Sequence, residues 1–152
     1  TLTIHPYAVK EYAKRWYIIA YCKERDGLRV YGLDRVRNIE VTGKKFRMMT
    51  GFDVDELFAT SFGIYLPGEK ARTITFKVSE REARFLRDLP LHKSQEELET
   101  KDGYVTFSIF VCPDKNMIME FCRYGSRIEV LSPDDIRKEI AAELSSAAKL
   151  YE

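Results

Sequence analysis

The second half of the chain alternates between strand-like and helix-like periodicity, and this order restricts the fold more than any other feature. "RTITFKVS", from residue 72, alternates with a period of two, which predicts a strand. A helix-like run that ends near Pro90 follows, then two strand-like runs around the turn at residues 101–103. A second helix-like run, "KNMIMEFCRYG", precedes a strand-like "RIEVLSP". The last segment, "SPDDIRKEIAAELSSAAKLYE" at residues 132–152, predicts an amphipathic helix.

Capping signals mark the ends of these helices. Ser79, with Glu82 three residues later, forms a capping-box pattern, and Gly125 predicts the end of the second helix. Asp134 and Asp135 fall in the first turn of the last helix, where the helix dipole favours negative charge. The order β-α-β-β-α-β with a terminal helix is that of a ferredoxin-like module, which we expect over residues 72–152.

The first half reads as β structure. "RWYIIAYC", the turn "KERDG" and "LRVYGLDRVRNIEVTG" predict a hairpin, a bend near Gly32 and a short strand at Ile39–Val41. Short strands without an intervening helix favour a small barrel. Residues 51–71 predict a short helix and a linker. The expected fold class is therefore α+β, with a small β-barrel over residues 1–50 followed by the ferredoxin-like module.

The hairpin has two alternative faces. Alternation along its first strand separates Arg15 and Tyr17 from an apolar set that we predict as core: Trp16, Ile18, Ala20 and Cys22. A three- or five-residue loop within "KERDG" pairs odd positions with odd ones, whereas a two-residue Asp26-Gly27 turn exchanges the faces. We favour the longer loop because it adds Val30 and Val36 to the predicted core.

With the longer loop, three cations share one face: Arg15, Arg29 and Arg35. Like charges directly opposed cost about 0.2–1 kcal/mol per pair, a penalty that a bound anion would relieve. A solvated charged face and an internal ion pair with Asp34 are the alternatives. Tyrosines interleaved with arginines favour the anion, because aromatic platforms beside cations hold single-stranded nucleic acid.

Charge is distributed unevenly along the chain. The net charge of +1 combines +6 over residues 1–50 with −5 over residues 51–152. A basic half favours an anionic partner and an acidic half a protein partner. The three cysteines form no CxxC pair, which favours a reducing cytoplasm over disulfides or zinc. We expect no metal, no cofactor and no membrane span.

The hairpin carries a family resemblance. "RWYIIAY", with "HPYAVKEY" before it and "LRVYGLDRV" after it, resembles the WYL domain, with Ile18 in place of the signature leucine. The second half, with "EFCRYGSRIEVLSPDDIRKEI", resembles the C-terminal extension that usually follows that domain. The resemblance implies an SH3- or Sm-like barrel in a bacterial transcription regulator, usually behind an N-terminal helix-turn-helix. Because the chain opens in a strand, we expect this helix-turn-helix and part of the barrel to be missing.

The resemblance also implies a function. WYL domains are regarded as effector sensors, with single-stranded nucleic acid or nucleotides as ligands, and the extension is associated with homodimers. Promoter DNA would be bound by the missing N-terminal domain. Carried onto this sequence, the ligand-binding set is His5, Tyr7, Lys10, Arg15, Tyr17, Arg29 and Arg35.

Other functions are weaker alternatives. A structural module that assembles through its basic and acidic halves needs no ligand. An enzyme is disfavoured because the sequence contains no GxSxG, no HExxH and no Gly-rich loop that opens a helix. His92 has no cysteine or carboxylate at metal-ligand spacing, and we expect a surface residue there.

Overall fold

The computed structural model describes residues 1–68 and 70–152 and divides them into two units. The first unit comprises Thr1–Ala59 and Gly63–Leu66, and the second comprises Thr60–Phe62 and Pro67–Glu152. Within the described part of the chain, no helix combines the length and the apolar character that a membrane crossing requires.

The first unit is built on a three-stranded antiparallel sheet in the order β1-β2-β3. The strands are β1 (Ile4–Tyr12), β2 (Arg15–Cys22) and β3 (Gly27–Gly32), and a 3-10 turn (Leu33–Arg35) follows directly. A short helix, α1 (Val54–Leu57), begins where the Asp53 carboxylate accepts hydrogen bonds from the backbone N–H groups of Asp55 and Glu56. The short helix predicted for residues 51–71 is therefore confirmed.

The register of the hairpin differs from the one that we favoured. Cys22 lies opposite Gly27, and Ile19 opposite Val30, so odd positions pair with even ones. Tyr17, Ile19 and Val30 share a face and pack against Phe58 and Ile64. The cluster thus forms on the face that the sequence assigned to the cations. The even loop length places Val30 on the Ile19 face, because a slip of one residue exchanges the faces of β3. Phe58 and Ile64 then cover that face.

Two further predictions for the first half are wrong. Trp16, predicted as core, is 52% exposed, although Ala20 and Cys22 on the same face are buried. Ile39–Val41, predicted as a strand, is irregular; Ile39 is 72% exposed and Val41 90%. No neighbouring strand among residues 1–68 pairs with this segment, and an extended segment without a partner is not a strand. The described sheet is open, and the barrel stays a prediction.

The second unit follows the predicted order of elements. Its strands are β4 (Arg72–Ser79), β5 (Glu96–Lys101), β6 (Tyr104–Val111) and β7 (Ile128–Ser132). Its helices are α2 (Glu80–Asp88), α3 (Lys115–Tyr124) and α4 (Asp134–Ala148). The strands form an antiparallel sheet in the order β5-β6-β4-β7.

The predicted caps of the second unit are confirmed. The Ser79 hydroxyl accepts from the Glu82 N–H at 3.3 Å, and α3 ends at Gly125, whose φ of +56° favours glycine. The helices cover one face of the sheet, and the core consists of strand residues such as Phe76 and Phe107 together with helix residues such as Phe121.

His92 is not the surface residue that the sequence predicted. It is only 9% exposed, and its Nδ1 accepts from the Ser94 N–H at 3.1 Å while Nε2 donates to the carbonyl of Ser61 at 3.1 Å. Burial lowers the pKa of this imidazole. Its position follows from tertiary packing of the segment around Ser61, which no local pattern indicates.

Candidate anion-binding site

One face of the first sheet gathers most of the predicted ligand-binding residues. In the register of β1 and β2, His5 lies opposite Tyr21, Lys10 opposite Tyr17 and Tyr12 opposite Arg15. Directly opposed residues share a face, so His5, Lys10, Arg15 and Tyr17 lie on one side. The apolar cluster around Ile19 lies on the same side.

A pocket of about 130 Å³ opens at the end of this face where β2 begins and β3 ends. Arg15 and Tyr17 come from the start of β2, and the 3-10 turn after Gly32 places Asp34 and Arg35 beside them. A Cβ on Gly32 would lie 2.7 Å from an Asp34 carboxylate oxygen, so a larger residue here would displace the Asp34 side chain. The lining is completed by Val30, Ile64 and Tyr65.

The pocket carries more positive than negative charge. The Arg15 guanidinium lies 3.4 Å from the Asp34 carboxylate, at the long end of ion-pair distances, and the two side chains are 58% and 50% exposed. Arg35 forms no ion pair or side-chain hydrogen bond with any residue that the structure describes. Two guanidinium groups and one carboxylate therefore leave a net charge of +1 on the lining.

The three predicted residues of β1 contact the chain itself. The His5 ring stacks on Phe46 with a centroid distance of 4.5 Å, and the Tyr7 ring meets Phe52 edge-on at 4.9 Å. The Tyr7 hydroxyl accepts from the Met49 N–H at 3.2 Å. The Lys10 ammonium lies 5.4 Å from the centroid of the Phe58 ring. None of the three predicted residues lines the pocket.

Arg29 lies on the opposite face, so its predicted convergence with Arg15 and Arg35 is wrong. It sits opposite Ala20, and its guanidinium donates to the carbonyls of Leu28 and Arg25 at 2.7 and 3.1 Å. The even register is the physical cause. Burial raises the pKa of Tyr31 on this same face. A role of Arg29 in ligand binding stays a prediction.

Sequence reasoning missed the contribution of Ile64 and Tyr65 to the pocket. Both follow α1 within the segment that the sequence predicts as a linker. Their position depends on how that segment folds back over β2 and β3, and no periodic pattern indicates it. Asp34, by contrast, was foreseen as an ion-pair partner for an arginine, and its contact with Arg15 agrees with that alternative.

Two family models match the chain. The WYL domain matches residues 1–41, and the WCX domain matches residues 70–148, about half of the chain. Protein PafB of Mycobacterium bovis and of Mycobacterium tuberculosis is 27% identical to this chain over 150 residues. The match covers 96% of this chain but 44% of PafB, so the chain spans less than half the length of these relatives.

A solved structure of a CRISPR Cas-related protein shares this fold. The crystal structure of a CRISPR Cas-related protein aligns with 99% of this chain and 43% of its own, with a TM-score of 0.58 and 13% identity. The proteasome accessory factor B/C (PafBC) of Arthrobacter aurescens aligns with 99% of this chain and 22% of its own, with a TM-score of 0.46 and 22% identity. The resemblance in the hairpin and in the second half of the sequence is confirmed by the family matches. The chain belongs to the family of proteins in which a WYL domain is followed by a WCX domain.

Proposed function

We propose that this chain is the ligand-sensing region of a bacterial transcription regulator. It binds an anionic effector at the pocket of the first unit that is lined by Arg15 and Arg35. The effector class is single-stranded nucleic acid or a nucleotide. Membership of the WYL and WCX family supports the regulatory role. In this proposal the first unit is part of an SH3-like barrel, the second is a ferredoxin-like module that forms a homodimer, and the protein acts in the cytoplasm. Promoter DNA would be bound by another domain of the full-length protein, and the chain has no catalytic role.

The observation that carries the proposal is the unpaired cation at the pocket. Arg35 has no carboxylate partner in the described residues, while Arg15 is only loosely neutralised by Asp34 at 3.4 Å. A pocket of about 130 Å³ is small beside the roughly 300–1,000 Å³ of sites that enclose a drug-sized ligand. It would therefore accept one phosphate group of a larger ligand, with the Tyr17 ring on the lining to contact a sugar or base.

The test compares two neighbouring arginines. Arg35→Ala removes a pocket cation, whereas Arg37→Ala removes an exposed cation that lies outside the pocket. We expect Arg35→Ala to weaken the binding of a short labelled DNA or RNA single strand about tenfold, measured by fluorescence anisotropy. The slope of log affinity against log salt should fall by about 0.7, the value for one lost phosphate contact on a single strand. Equal losses in both variants would mean that the site is elsewhere.

Arg29→Ala tests the remaining part of the predicted set. Because Arg29 lies on the opposite face, we expect this variant to bind the oligonucleotide like the parent at matched salt. A loss equal to that of Arg35→Ala would place the ligand on the Arg29 face and would contradict the pocket.

An assembly module without a ligand is the second candidate. The charge of +6 on residues 1–50 and −5 on residues 51–152 would support contact between the basic part of one copy and the acidic part of another. Sedimentation across a salt series separates the two functions. This candidate requires self-association that dissolves as salt rises, in the absence of any nucleic acid.

A further inference from the structure

A second pocket, of about 220 Å³, lies in the second unit at the end of the sheet where β6 and β7 begin. It is lined by residues of β4, β6, β7 and the turn before β7: Lys77, Val78, Tyr104, Ser126, Arg127, Ile128 and Glu129. Lys77 lies opposite Glu129 in the sheet, and Ser79 lies opposite Tyr104. The WYL and WCX matches assign no role to this pocket.

Cations outnumber carboxylates around this pocket. Glu129 is fully engaged, because one carboxylate oxygen lies 3.1 Å from the Lys77 ammonium and the other accepts from Arg137 at 2.9 Å. The hydrogen bonds from Arg137 and Lys77 lower the pKa of Glu129, so this carboxylate is charged at neutral pH. Arg127 lies 3.6 Å from the Glu82 carboxylate. Arg137 and Glu82 do not line the pocket. The lining itself has two cations, Lys77 and Arg127, and one carboxylate, Glu129, which leaves one positive charge unbalanced.

Arg127 is held in place before any ligand arrives. Its guanidinium stacks on the Tyr124 ring at 5.4 Å, and its Nε donates to the Tyr124 carbonyl at 3.3 Å. The side chain is nevertheless 55% exposed, so its remaining N–H groups are open to solvent. A cation that is already ordered loses less conformational entropy when it binds an anion.

Two hydroxyl groups of the pocket are uncommitted. The hydroxyls of Tyr104 and Ser126 form no hydrogen bond with any residue in the described ranges 1–68 and 70–152. Lys77 has three N–H donors, and Glu129 takes one of them; its ammonium also lies 5.3 Å from the Tyr104 ring centroid. The lining therefore offers hydroxyl, ammonium and guanidinium donors from three separate elements.

We propose that this pocket binds a small phosphate-bearing molecule, with Arg127 and Lys77 as its cations and Ser126 and Tyr104 as hydroxyl donors. A tetrahedral phosphate has at least three oxygens that can accept donors from several directions, whereas a planar carboxylate has two oxygens in one plane. The number and spread of the donors therefore favour phosphate over carboxylate. This site shares no lining residue with the pocket of the first unit that is lined by Arg15 and Arg35.

The test uses the whole chain, isotopically labelled for NMR, and inorganic phosphate as the probe at constant ionic strength. Phosphate should shift the backbone amide signals of Ser126, Arg127 and Ile128. These shifts should saturate as the phosphate concentration rises, so that a dissociation constant can be fitted. Arg127→Gln and Lys77→Gln should each weaken this binding about tenfold, the factor expected for one lost charge-assisted hydrogen bond. Acetate at the same concentration should bind more weakly than phosphate.

Arg84→Gln is the matched control, because Arg84 is an exposed arginine of α2 outside the pocket, and the change removes the same charge. This variant should bind phosphate like the parent. Linear, non-saturating shifts, or equal weakening in the Arg84 and Arg127 variants, would overturn the proposal and leave only a surface ion-pair network. If the amide signals of residues outside the pocket are the same in each variant as in the parent, that variant remains folded.

Discussion

Asp34 should act as an internal competitor of the effector, and replacing it with asparagine should tighten binding. The Asp34 carboxylate lies 3.4 Å from Arg15 in the pocket where we propose that the anion binds. Asp34→Asn keeps the size of the side chain and raises the net charge of the lining from +1 to +2. Most substitutions in a binding site weaken it, so an increase in affinity is a demanding test.

The magnitude follows from the exposure of the charges. Both partners are at least half exposed, so a water-like dielectric applies, and two unit charges about 4 Å apart then interact by about 1 kcal/mol. Removing this repulsion between Asp34 and a bound phosphate should raise affinity about fivefold, since 1.4 kcal/mol corresponds to tenfold. The loss of the exposed Arg15–Asp34 pair should lower the free energy of unfolding by no more than about 1 kcal/mol.

The assay is fluorescence anisotropy with the same labelled single strand, at low and high salt. Asp55→Asn is the control, because Asp55 is exposed, lies outside the pocket and loses the same charge. The gain in Asp34→Asn over Asp55→Asn should shrink as salt rises, because screening weakens exposed charges. If Asp34→Asn binds no more tightly than Asp55→Asn at low salt, Asp34 does not face the ligand and the pocket is not the binding site.

Two further predictions concern stability. Phe121→Ala should lower the free energy of unfolding, measured in urea, by about 3–5 kcal/mol, because the buried Phe121 ring packs edge-on against Phe76 at a centroid distance of 5.4 Å. Phe85→Ala is the control, because this side chain is exposed and its loss should cost less than about 1 kcal/mol. Similar losses in both variants would contradict the burial of Phe121 in the core. Stability should also fall as the pH drops below about 6.5, because burial lowers the pKa of His92 and the unfolded chain then binds the proton more tightly. His92→Gln should flatten this pH dependence of the unfolding free energy, and an unchanged slope would exclude His92 as its source.

The elements of the second unit were predictable because their signals are local. The alternation in "RTITFKVS", the Ser79 cap and the glycine after α3 each act within a few residues of the structure that they specify. The same holds for the hairpin of β5 and β6, whose turn residues Asp102 and Gly103 both have positive φ. Local chemistry alone was sufficient to predict the order of strands and helices there.

Part of the candidate site was also accessible from the sequence. The resemblance to the WYL domain, together with alternation, indicated Arg15, Tyr17 and Arg35, and these three residues line one pocket. Asp34 was anticipated as an internal partner. These residues lie on or directly after strands that the sequence identifies. Arg35 nevertheless reaches the pocket through the 3-10 turn Leu33–Arg35 and not through the predicted register.

Only the tertiary structure decided which face of the hairpin became core. The sequence allowed two registers, and the even one separates Arg29 from the other arginines. Packing against the rest of the first unit leaves Trp16 exposed and Ile19 buried. The burial of His92 and the arrival of Ile64 and Tyr65 at the pocket depend in the same way on distant segments. Strand periodicity defines two sets of side chains but not which set faces inward, because that choice depends on what the rest of the chain packs against them.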